Sequence, residues 1–137
     1  MTGKSVLVLN LTILLIALMA SASDVQLFNR PMVSVDSGSA TVSVLIDYGN
    51  GTTKWRDRVI LSEGSAVFNT TRDVANVEYT DYNGSIIVNA IDNVWNNSTF
   101  GWSWWYWNFT ESDWLLGLSA CNNYLLHHGE IIAWHYA

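Results

Sequence analysis

The sequence predicts an α+β fold in which a mixed β-sheet wraps one short helix. Three observations carry that expectation. From Ala40 onward, most apolar and polar residues alternate with period two, the mark of half-buried strands. One segment alone, residues 65–75, spaces its apolar residues as a helix does. Turn residues, above all Gly49-Asn50-Gly51 and Asn83-Gly84, fall between the alternating runs.

Residues 23–39 hold the only proline, Pro31, and the cluster Ser37-Gly38-Ser39, and read as an extended leader. The run Thr41 to Tyr48 alternates and is rich in β-branched residues, so it reads as a strand. Gly49-Asn50-Gly51 is a tight turn, because Gly and Asn accept positive φ cheaply. Thr52 to Leu61 returns as the second strand of a hairpin. Ser65 is the expected N-cap of a helix ending at Ala75, with Val67, Phe68, Thr71 and Val74 on one face. Strands follow at Val77–Tyr82 and Ser85–Ile91, then an aromatic strand at Gly101–Phe109. Residues 110–123 read as a loop, and Ile131–Tyr136 as the last strand. Hairpin, single helix and further strands are the order of a β-grasp.

A chain of 137 residues and 15.4 kDa suits one domain. With a net charge of −6, binding to a phosphate backbone is not expected, so nucleic acid is set aside as a partner. The single cysteine, Cys121, excludes an internal disulfide and a cysteine-based zinc site. Lys4, the apolar run Val6–Ala20 and Ala20-Ser21-Ala22 together read as an export signal over residues 1–22. The run is short for a bilayer span, though an uncleaved N-terminal anchor remains the alternative. A secreted or cell-surface location is the expectation. The rest of the chain carries six N-x-S/T acceptor motifs, at Asn50, Asn69, Asn83, Asn96, Asn97 and Asn108. The first five are the expected glycosylation sites; Asn108 lies inside the aromatic run and is set aside. An Asn- and Thr-rich chain without glycans is the competing reading.

Three stretches carry a family resemblance. They are Val42 to Gly51; Gly101 to Asn108, with Trp104 and Tyr106 in a W-x-aromatic pattern; and Gly117 followed by Tyr124 to Tyr136. In this order, residues 40–137 resemble the C-terminal domain of the transcobalamin and intrinsic-factor family, in its stand-alone exported prokaryotic type. The resemblance implies a non-enzymatic β-grasp module of a ligand-binding lineage. In the cobalamin carriers, this domain closes over the corrinoid from one side and a large helical domain supplies the other. No stretch of the 137 residues resembles that helical domain.

Between Trp95 and Trp114 stand nine aromatic residues in twenty. On a strand, Trp102, Trp104 and Tyr106 share one face, and Trp105, Trp107 and Phe109 share the other. The family pattern directs Trp104 and Tyr106 toward the helix, which leaves an indole-rich second face. Three readings of that face stay open: a mini-core under residues 110–123 and the leader, a platform for a corrinoid, sugar or other flat ligand, or a contact with a surface partner or second copy. The candidate ligand-binding residues are Trp105, Trp107 and Trp114, with Trp102 as the alternate.

Other chemistry is weaker. His127, His128, Glu130 and His135 lack the spacing of a metal site, and Asp36, Asp47, Asp92 and Glu130 are too dispersed for calcium. Cys121 has no basic neighbour to activate it. Glu111 and Asp113, two apart in a loop, lack the opposed geometry of a glycosidase pair. No enzyme, cofactor or metal is expected. The reading is an exported binding module, with a self-associating adhesive or structural component as the alternative.

Overall fold

The structure, a computed structural model, describes residues 38–137. The export signal over 1–22 and nearly all of the leader over 23–39 lie outside the described residues. The elements are β1 (Ser39–Asp47), β2 (Thr53–Ser62), α1 (Val67–Val74), β3 (Val77–Tyr82), β4 (Ser85–Ile91), β5 (Val94–Trp95), β6 (Trp102–Asn108), β7 (Asp113–Leu116) and β8 (Ile131–Tyr136). The strands divide into two sheets, a five-stranded one of order β2-β1-β8-β6-β7 and a three-stranded one of order β3-β4-β5. The first is mixed: β1 and β8 run parallel and every other pair is antiparallel. This agrees with the α+β class, but the strands form two sheets where one wrapped sheet was expected.

The hairpin forms as its sequence directs. Gly49 and Gly51 both have positive φ, and the Tyr48 N–H closes the turn on the Thr52 carbonyl. Gly49 is doubly constrained, since a Cβ there would lie 2.3 Å from the Tyr136 carbonyl oxygen. The β1–β2 register shifts between Val42 and Val44, and Arg58 on β2 adopts φ of 56°.

The helix is shorter than expected and starts one residue later. Ala66 takes the cap position and has no side-chain acceptor to offer, so its end is held by the Asn69 Oδ1 accepting the Ala66 N–H. Ser65 instead donates its hydroxyl to the Ser62 carbonyl. Val67, Phe68, Thr70 and Thr71 are buried, close to the expected face.

The core lies between these elements. Val42, Val44 and Ile46 of β1, Ile132 and Trp134 of β8, and Trp104 of β6 pack with Val67, Phe68, Val88, Ile91 and Leu126. Polar ends of the large side chains are satisfied inside it. The Trp134 indole N–H donates to Thr71 Oγ1 at 2.7 Å, and that hydroxyl donates to the Val67 carbonyl. The Trp104 indole N–H donates to the Ser119 carbonyl at 2.9 Å. Tyr48 and Lys54 of the hairpin both donate to Asp92 Oδ2 at the β4–β5 turn, and the Asn76 N–H donates to its Oδ1. Burial alone would raise the Asp92 carboxyl, yet these donors hold it below its usual value.

Residues 110–123 hold more structure than a loop. Asp113–Leu116 form β7, which extends the sheet beside β6 instead of folding over its face.

Candidate functional site

Ladder pairings assign every side chain of the large sheet to a face. Since Val42, Val44, Ile46, Ile132, Trp134 and Trp104 are core residues, their strand neighbours Ser43, Leu45, Asp47, Ile131, Ala133, His135, Ser103, Trp105 and Trp107 occupy the opposite face. One row crosses all five strands: Trp55 opposite Leu45, Leu45 opposite Ala133, Ala133 opposite Trp105, and Trp105 opposite Leu116. Trp105 is central to the aromatic end of this face. Its indole N–H donates to Ser103 Oγ at 3.0 Å, which fixes the plane of the ring, and the ring is partly exposed.

Trp107 and Trp114 are opposite each other on β6 and β7, with ring centroids 5.4 Å apart at 61°. They meet edge-on and are only 8% and 4% exposed, so little of either indole is free. Trp102 lies on the core face. It meets Tyr48 edge-on, lies tilted against Tyr136 and donates its indole N–H to the Val94 carbonyl, which ties β6 to β5. Phe109 follows β6 in an exposed turn. The structure therefore brings Trp105, Trp107 and Trp114 to one face and separates Trp102 from them.

A polar row borders the aromatics. Asp47, His135 and Ser103 are neighbours across β1, β8 and β6. Asp47 Oδ2 is 3.0 Å from His135 Nδ1, and Asp47 Oδ1 accepts the Gly49 N–H. Burial would push the Asp47 carboxyl up, but His135 and the Gly49 N–H outweigh it and the pKa falls below 3.8. His135 Nε2 and Trp114 Nε1 are the two buried side-chain polar atoms without a partner among the described residues, and both belong to this face. Pattern alone identified neither Trp55 nor the Asp47–His135 pair as members of this surface. Their strand parity was readable, but the cross-strand register that groups them was not.

Elsewhere, His127 pairs with Glu63, and His128 Nδ1 accepts the Thr41 N–H. No group of three or more His, Cys, Asp or Glu among the described residues could hold a metal ion. Cys121 is buried in the core, and burial pushes its thiol up to about 11. Among the described residues, no helix is long and apolar enough to cross a membrane.

No family model matches the chain, and no curated protein sequence does. Among solved structures, the fold is similar to that of haptocorrin, in a crystal structure of its complex with Cbi, with a TM-score of 0.60 and 12% identity. The match covers 80% of this chain and 26% of haptocorrin, so this chain spans about a quarter of that protein's length. At that identity the likeness is one of fold. It is a distant fold relationship and shows no family membership.

Proposed function

We propose that this chain is an exported, non-catalytic binding module that holds a flat ligand against the Trp105 face of its five-stranded sheet. The observation that carries the reading is the arrangement around Trp105. A ring of fixed orientation stands between the Trp107–Trp114 pair and the Asp47–His135–Ser103 row. Two buried polar atoms on that same face, one indole donor and one imidazole nitrogen, have no partner among the described residues. A ligand with a flat apolar body and polar edges would meet both needs. The fold likeness to haptocorrin, crystallised with the corrinoid cobinamide, makes a corrinoid the first ligand to test. The β-grasp lineage implied by the sequence belongs to the same reading.

The test is isothermal calorimetry of the full chain with cobinamide and with hydroxocobalamin. The reading expects saturable heat that weakens at least tenfold in Trp105→Ala, with the circular dichroism spectrum unchanged. Heat equal in both proteins would move the ligand off this face. Absence of heat at micromolar protein, with light scattering revealing a dimer that Trp105→Ala dissociates, would favour the self-associating alternative.

A further inference from the structure

Three segments share one pattern of aromatic, any residue, Asn, any residue, Thr: Tyr48 to Thr52, Trp95 to Thr99, and Tyr106 to Thr110. Each follows or overlaps the end of a strand and enters a turn. In each, the Asn side-chain carbonyl is the anchored end. Asn50 Oδ1 accepts the Thr52 N–H, Asn97 Oδ1 accepts those of Thr99 and Phe100, and Asn108 Oδ1 accepts that of Glu111. The middle segment differs in its aromatic residue. Tyr48 is committed to Trp102 and Asp92, and Tyr106 is stacked on Tyr124. Trp95 is 54% exposed, and Phe100, on the far side of the same turn, is 50% exposed.

The turn is held in place by Tyr136. Its hydroxyl donates to the Trp95 carbonyl at 2.7 Å and accepts an N–H from Asn97 Nδ2 at 3.1 Å. An Asn amide nitrogen has two hydrogens, so this bond uses one and leaves the other replaceable. The neighbouring Asn96 is engaged at both ends, its Nδ2 donating to the Val88 carbonyl and its Oδ1 accepting the Trp102 N–H.

We propose that Asn97 is an N-glycosylation acceptor whose first sugar packs on the Trp95 indole. In the transfer, Asn97 Nδ2 attacks the anomeric carbon of a lipid-diphosphate-linked oligosaccharide. The C–N bond forms, the C–O bond to the diphosphate breaks, and the diphosphate leaves with that electron pair while the amide gives up one proton. The remaining N–H keeps its bond to Tyr136, so the turn does not have to reorganise. A pyranose presents a face of C–H groups, which can pack on the half-exposed Trp95 indole. Thr99 supplies the hydroxyl position that the acceptor motif requires.

The proposal rests on the export reading, because transfer takes place outside the cytosol. The test expresses the full chain in a secreting eukaryotic host and maps site occupancy by mass spectrometry of glycopeptides. Secreted protein should carry glycan at Asn97. Removing its glycans should lower Tm by roughly 4 °C or more, and Trp95→Ala or Trp95→Leu should reduce that difference at least twofold. Thr99→Ala should abolish occupancy at Asn97 with Trp95 left intact. Secreted protein bare at Asn97, or a glycan effect unchanged in both Trp95 variants, overturns the proposal and leaves export standing. Protein retained in the cytosol overturns both.

Discussion

Gly117 stands against the Trp104 ring: a Cβ placed on it would lie 2.0 Å from ring carbon Cε2. The ring cannot retreat easily, because its N–H is bound to Ser119 and the Gly117 N–H is itself bound to the Trp104 carbonyl. Gly117→Ala should therefore cost about 1–3 kcal/mol by overpacking, read as a lower urea midpoint with an unchanged m-value. Trp134→Phe keeps most of the buried ring and deletes the bond to Thr71, which should cost about 1–2 kcal/mol. Thr71→Val combined with it, in a double-mutant cycle, would isolate that bond. The Asp47–His135 pair makes a pH prediction. Because the folded-state pKa of Asp47 is below 3.8, its contribution is present above that value and is lost as pH falls through the folded pKa. Asp47→Asn should melt lower at neutral pH and lose less stability than the parent between about pH 5 and about pH 3. Thermal melts at the two pH values check this, and a parallel acid response in both proteins would contradict it.

At the scale of elements, the strands that read most clearly were those whose own residues specify them. β3, β4 and β8 have the expected ends because an Asn-Gly turn or a Gly-acid turn bounds each of them. β5 and β7 were not legible: two and four residues long, they exist through pairing with β4 and β6 and not through any pattern of their own. The helix cap was misplaced at Ser65 because a Ser before an apolar run is a common cap signal, while here an Asn three residues into the helix does the capping work. In β6, parity alone put Trp105 and Trp107 on one face. It could not reveal that β7 would bring Trp114 against Trp107 and leave both indoles largely covered. β2 offers the prediction for this scale. Arg58 pays a left-handed backbone cost of about 1–2 kcal/mol, and its nearest carboxylate is only a loose 4.0 Å surface contact with Asp57. Arg58→Gly should relieve that strain, and after the added unfolded-chain entropy should gain about 0.5–1 kcal/mol. A lower urea midpoint would show that the arginine side chain stabilises the bulge.

At the scale of the described fold, the last strand occupies the centre of the large sheet. β8 pairs in parallel with β1, the first strand, and antiparallel with β6. The sheet cannot close until the C-terminus is in place, and its central contacts are among the most distant in sequence. Deleting residues 131–137 should remove cooperative unfolding altogether, with loss of amide protection in β1 and β6 as well as in the missing strand. Persistent protection in β1 and β6 would mean that the remaining strands close the sheet themselves. The same topology gives the sheet two faces, one packed by the core and the other carrying buried Leu45, Ala133, Asp47 and His135 with Trp105 partly exposed among them. The most direct test of that division is an NMR titration with cobinamide, following the indole N–H signals of the eight tryptophans. The account predicts saturable shifts at Trp105 and Trp114, with Trp104 and Trp134, bound inside the core, nearly unmoved. Shifts confined to Trp95 and Trp102, or no shifts at any tryptophan, would contradict it.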